Sequence, residues 1–269
     1  MHMDVTDLRD FYTRPIGSVA RRLIQRAVRR AWPDVTGSTL MGLGFATPYL
    51  GLFRDEARCV LAPMPAQQGV INWPTRGPFA SVLVDEADLP ISDGAINHAL
   101  IVHCLEMTQQ PLELLEEVWR VLAPGGRLLA IVPNRRGLWA QRDSTPFGHG
   151  RPFSRGQLMR LLKDAMFSAR AWETALYVPP SSKGLFLRSS TAWERVGHSM
   201  PVMTSGVLLV EATKQVYAVK PTPAAARIGA RLPILVPRAT PATRGITDRF
   251  ASTERQPGLR RCSTPRSGA

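Results

Sequence analysis

Two histidines, an acidic pair and a run of arginines carry most of the ligand-directed chemistry in this 269-residue chain. His103 follows the apolar run Ala99–Val102 and falls at the carboxyl end of a strand, the rim where open α/β sheets hold ligands. It either lines a pocket and orients a substrate, or is a histidine satisfied by neighbouring backbone. His149 lies in the stretch R-R-G-L-W-A-Q-R-D-S-T-P-F-G-H-G-R-P-F with Arg135, Arg136, Arg142 and Arg151. Guanidiniums in a loop of this kind suit an anionic substrate, and Trp139, Phe147 and Phe153 offer apolar or stacking faces. The plain alternative is a lid that packs over the sheet. If a proton has to be taken from a substrate, His103 and His149 are the candidate bases. Asp85 and Glu86 follow a third apolar run, and Asp85 alone reads equally as a solvated turn residue. Cys59, Cys104 and Cys262 show no CxxC spacing, which argues for a reducing compartment and against a zinc site.

The elements that position these groups run from Val82 to Asn134. Val82–Val84, Ala99–Val102 and Leu128–Val132 are short, aliphatic and bounded by Pro, Gly, Asp and Asn, as buried strands of a parallel sheet are. Leu112, Leu115, Val118, Trp119 and Leu122 recur at helical spacing, and Pro124-Gly125-Gly126 is expected to stop that helix. Together they form a βαβ unit. Glu106 reads as part of the first turns of the helix.

The same stretch resembles the second half of a class I S-adenosylmethionine-dependent methyltransferase of type 11. The resemblance rests on D-x-A-x-L-P-x-x-D-G from Asp85, H-x-L-E from His103, R-V-L-x-P-G-G-R-L from Arg120, and Val132-Pro133-Asn134. It implies a Rossmann-like α/β fold: a seven-stranded, mostly parallel sheet of order 3-2-1-4-5-7-6 with helices on both faces. It also implies S-adenosylmethionine as cofactor and methyl transfer to an acceptor, expected to be a small molecule. The implied cofactor positions are Gly42, Gly44 and Ala46 in the loop after the first strand, Ala62 after a second strand at Arg58–Leu61, Asp85 and Glu86 on the adenine side, and His103. Trp139, Phe147 and Arg151 fall on the substrate side. Several positions depart from the family pattern. Gly42 replaces an acid, Ala46 and Pro48 replace glycines, and Ala62 replaces the acid that accepts from the ribose hydroxyls. A hydrogen bond to a charged group contributes roughly 1.5–3 kcal/mol, so that last loss is heavy. The alternative is a methyltransferase-like scaffold without turnover that serves as an interaction protein.

Composition sets the remaining bounds. A chain that is 44% hydrophobic with a formal charge of +13 fits one globular domain carrying basic extensions. Residues 1–35 read as an N-terminal basic amphipathic helix, with Ile16, Val19, Leu23, Ala27 and Val28 on one face and arginines on the rest. It either packs on the sheet or meets an acidic partner. Residues 36–220 are the expected methyltransferase domain. Residues 221–269 are rich in Pro, Ala, Thr and Arg and carry about half of the basic excess, so they read as a disordered tail able to touch nucleic acid through phosphates. With no signal peptide and no membrane-length apolar run, the expected location is cytoplasmic.

Overall fold

Seven strands rich in aliphatic residues build one sheet whose central strands are buried on both faces. The computed structural model describes residues 3–181, 189, 193–194, 197 and 205–216. The tail from 221 lies outside the described residues. Residues Met1–Ala218 form one compact unit, and the account below concerns that unit. Its elements are α1 (Val5–Thr13), α2 (Pro15–Ala31), β1 (Thr39–Gly44), α3 (Thr47–Leu50), β2 (Cys59–Pro65), β3 (Ser81–Val84), β4 (Ile96–Val102), α4 (Pro111–Val121), β5 (Leu122–Pro133), α5 (Arg155–Asp164), β6 (Phe167–Ala175) and β7 (Val207–Lys214).

The strand order is β3-β2-β1-β4-β5-β7-β6, the order implied by the sequence resemblance. Strands β1 to β5 pair in parallel and β7 runs antiparallel between β5 and β6. The period of two along each strand sorts the core. Leu40, Leu100, Val102, Leu129 and Ile131 pack under α1, α2 and α3. Met41, Leu43, Ala99, Ile101, Leu128 and Ala130 pack under α4 and α5.

The amino-terminal segment is two helices rather than one. Pro15 has no N–H and keeps Arg14 extended at φ −69°, ψ 156°, so the chain turns there. Asp4 starts α1 by accepting from the Thr6 amide at 2.7 Å. Val19, Leu23, Ala27 and Val28 of α2 are buried, so the helix packs on the sheet. Two of its arginines are paired, Arg29 with Glu56 and Arg30 with Glu173.

Several boundaries differ from the sequence reading. β2 continues through Pro65, so Ala62 lies within the strand, opposite Ser81, and not at its end. α4 ends at Val121 before Pro124-Gly125-Gly126, because β5 already begins at Leu122. Thr47 is the first residue of α3, and no side chain caps that helix. Ser154 caps α5 in a reciprocal box with Gln157. Loops, not helices, join β2 to β3 and β3 to β4, which leaves Val82 and Leu83 of the edge strand about half exposed on opposite faces. Among the described residues no helix is long and apolar enough to cross a membrane.

Candidate functional site

Strand order reverses between β1 and β4, and the carboxyl ends of those strands form the crevice where open α/β sheets place ligands. At that point Gly44 has φ +82°, and a Cβ there would run into the Val102 carbonyl and the Cys104 side chain. The Phe45 amide donates to the Val102 carbonyl at 2.9 Å, tying the loop after β1 down onto β4. His103 is held at φ +50°, an uncommon conformation for a residue with a side chain, and strain of this kind gathers at functional positions.

A buried polar chain runs through His103. Its Nε2 lies 2.8 Å from the Tyr12 hydroxyl, which lies 2.9 Å from the Tyr49 hydroxyl. Its Nδ1 lies 3.3 Å from Glu106 Oε1, and Gln68 Nε2 donates to its carbonyl at 2.7 Å. Tyr12, Tyr49, Gln68, His103 and Glu106 are all buried. Burial pushes both phenols up from their ordinary pKa, so both stay protonated, with Arg21 pulling weakly the other way. Two acceptors in this cluster, Gln68 Oε1 and Glu106 Oε2, are buried without a partner. An unpaired buried acceptor costs about 1–3 kcal/mol, so two beside one strained histidine mark a place built for something besides packing.

Aromatic rings seal the chain. Tyr12 stacks on Phe45 with centroids 5.7 Å apart and planes 17° from parallel. Phe147 lies 4.9 Å from the His103 ring, and Phe11 and Trp139 meet Phe147 edge-on.

The residues singled out from sequence scatter around this cluster. His103 is at its centre. Trp139 and Phe147, expected to face a substrate, are core residues at 1% exposure; Trp139 donates to the Val178 carbonyl at 2.7 Å. Their large apolar area is better hidden under the loop than offered to water. Arg151 is exposed and borders a cavity of about 450 Å³ with Arg135, Phe153 and Gln157. His149 lies in an outer turn, its Nε2 2.8 Å from the Asp143 carbonyl, and no contact joins it to His103. Asp85 is exposed, and its carboxylate accepts from the Ala87 amide at 3.0 Å; Glu86 beside it is half-buried. Gly42, Ala46 and Ala62 are all buried.

Glu106 lies five residues ahead of α4 and is buried, so it belongs to the site and not to the first turn of the helix. Tyr12, Tyr49 and Gln68 were invisible as site residues. Tyr12 sits in the apolar series Val5, Leu8, Phe11, Tyr12 of α1, and nothing local announces a bond to a histidine 91 residues on. A second cavity, of about 550 Å³, lies beside α1, lined by Arg9, Tyr12, Arg21, Phe45, Ile71 and Trp73 among others.

Residues 42–130 match the model of a family described as a methyltransferase domain. The sheet and its helices are those of the class I methyltransferases.

This chain has a class I methyltransferase fold.

Its relatives among solved structures are distant. A SAM-dependent methyltransferase from Thermotoga maritima is 17% identical, with a TM-score of 0.53 over 78% of this chain and 96% of that one. An S-adenosylmethionine-dependent methyltransferase from Mesorhizobium loti is 16% identical, with a TM-score of 0.53 over 70% of this chain and 96% of that one. No curated protein matches the chain.

A methyltransferase domain implies S-adenosylmethionine as methyl donor. The family's own contacts to it do not fit these residues. A side chain at Gly42 would meet Leu50 Cδ1 at 2.6 Å and Ala46 Cβ at 2.8 Å, so no room exists there for a carboxylate. β2 ends at Pro65 and Ala66 follows it, with no acid for the ribose hydroxyls. Asp85 is engaged in its own turn. The crevice between β1 and β4 is filled by Phe45, Tyr12 and Phe147 around His103.

Proposed function

We propose that this chain is an S-adenosylmethionine-dependent methyltransferase acting on a small-molecule acceptor. The observation that carries the reading is the buried Glu106–His103–Tyr12–Tyr49 chain with its two unpartnered acceptors, placed at the ligand-binding edge of a methyltransferase sheet. Polar groups buried at such cost, on a strained backbone, are retained where a ligand or a proton has to be handled.

Methyl transfer asks little covalent chemistry of a protein, because holding nucleophile and methyl group in line supplies most of the rate. What these residues contribute is placement and a route for one proton. Glu106 orients the His103 ring through Nδ1, and Nε2 faces the Tyr12 hydroxyl. An acceptor that loses a proton on methylation would meet the chain at the Tyr12 hydroxyl, which lies 2.8 Å from His103 Nε2. Arg135 and Arg151, exposed at the end of β5 without ion-pair partners among the described residues, favour an acceptor bearing negative charge. A cytoplasmic location belongs to the same proposal.

Titration calorimetry of the full chain with S-adenosylmethionine and S-adenosylhomocysteine tests the reading. Micromolar binding of both is the expected result. No heat with either ligand at millimolar concentration would refute it.

A further inference from the structure

The segment after β5 gathers positive charge with nothing to neutralise it. Arg135 and Arg151 border the cavity of about 450 Å³ together with Pro111, Pro152, Phe153 and Gln157, and none of its lining residues is acidic. Neither guanidinium has a hydrogen-bond or ion-pair partner among the described residues, whereas Arg29, Arg30, Arg120 and Arg127 each face a carboxylate. Both free arginines are fixed through the backbone. The Arg135 amide donates to the Phe153 carbonyl at 2.9 Å, and the Arg151 amide to the Glu106 carbonyl at 2.7 Å. Gly150 permits the second bond: at φ +77° it brings the chain so near that a Cβ would lie 2.4 Å from the Glu106 carbonyl oxygen. The Glu106 carboxylate itself is turned to His103. Gln157 uses Oε1 to accept from the Ser154 amide at 3.0 Å, which leaves Nε2 as a neutral donor in the lining. α4 begins at Pro111 with no side-chain cap, so the positive end of its dipole borders the same space.

We propose that this cavity holds a phosphate group of the methyl acceptor. The proposal rests on the methyltransferase reading above and narrows its anionic acceptor to a phosphate ester. Charge decides between the anions. A phosphate monoester carries about −1.5 to −2 at neutral pH and three terminal oxygens, enough for two guanidiniums at once. A carboxylate carries one charge and two oxygens, so it satisfies one fork and leaves the other bare. The prolines and the half-buried Phe153 ring give the ester's apolar part a wall to lie on. The cavity lies past the end of β5, so it leaves the carboxyl ends of β1 and β4 to the donor.

The probes are inorganic phosphate and acetate, titrated at constant ionic strength into the 15N-labelled full chain while amide resonances are followed by NMR. Saturable shifts centred on the Arg135, Gly150, Arg151 and Phe153 amides are expected, with phosphate bound roughly tenfold tighter than acetate. Arg135→Gln and Arg151→Gln replace exposed side chains, so both should keep the parent's circular dichroism while each weakens phosphate roughly tenfold or more. Arg160→Gln removes an exposed α5 cation outside the lining and should change the affinity by less than about twofold. Saturating S-adenosylhomocysteine should leave phosphate affinity unchanged, as separate sites require. Phosphate bound no tighter than acetate, or weakened as much by Arg160→Gln as by Arg151→Gln, overturns the proposal. Competition between phosphate and S-adenosylhomocysteine also overturns it, because the anion would then lie in the donor's place. In each of these cases a parent that binds S-adenosylhomocysteine keeps the methyltransferase reading. A parent that binds phosphate but no S-adenosylhomocysteine at millimolar ligand overturns that reading, and the assignment to an acceptor falls with it.

Discussion

Restoring the carboxylate that related methyltransferases carry at the end of β1 should harm this protein. In Gly42→Asp the new Cβ would lie 2.6 and 2.8 Å from the two terminal carbons of Leu50 and 2.8 Å from the Ala46 Cβ. Leu50 and Ala46 are themselves fully buried, so neither has free space to retreat into. Overpacking of this kind costs about 1–3 kcal/mol. A carboxylate in the same place has no cation facing it, and an unpaired buried charge adds about 3 kcal/mol or takes up a proton instead. The expected loss is ~4–6 kcal/mol, a large part of the ~5–15 kcal/mol that stabilises a typical domain. Urea unfolding at pH 7, followed by tryptophan fluorescence, measures it, with Gly42→Ala as a steric control losing about 1–3 kcal/mol. A Gly42→Asp protein as stable as the parent, and tighter for S-adenosylmethionine, would refute the claim that the cradle is closed.

Acid should weaken the fold through His98. This ring is buried against Trp32 at 5.0 Å, and burial, then the charge of Arg127, holds its pKa down to about 4. The unfolded chain takes up the proton near pH 6.5 and the folded one only near pH 4, so stability is full above 6.5 and falls as pH drops between the two values. His98→Gln should flatten that limb by roughly 2–3 kcal/mol in unfolding free energy measured across pH 4 to 7; an unchanged slope would contradict the assignment. Tyr12→Phe removes the shared hydroxyl and leaves His103 Nε2 and the Tyr49 hydroxyl unpaired, so a loss of about 1–3 kcal/mol is expected by urea unfolding. Trp139→Phe orphans the Val178 carbonyl and should cost a similar amount; a loss below ~0.5 kcal/mol would mean the carbonyl finds water instead.

The βαβ unit was legible because it depends on local patterns, and the strand order followed from the family resemblance that the same stretch carries. Aliphatic runs, Pro-Gly turns and the D-x-A-x-L-P signature each sit within a few residues of one another. The loss of acids at Gly42 and after β2 was equally plain. The closing of the space around Gly42 was not, because Leu50 reaches it from a different element. Ala62 was misplaced by the extent of one strand: Pro63 and Pro65 read as an ending, yet β2 runs through both, with Met64 buried between them. Trp139 and Phe147 looked like substrate residues because a long aromatic loop reads the same whether its rings face in or out. The Tyr12–His103 bond joins the first helix to the residue just after the fourth strand, and a contact across 91 residues leaves no mark on either segment alone.

The most direct test is a crystal structure of the full chain with S-adenosylhomocysteine. Density for the ligand at the carboxyl ends of β1 and β4, within reach of Tyr12 and His103, is the result this account predicts. No density there at millimolar ligand would contradict it.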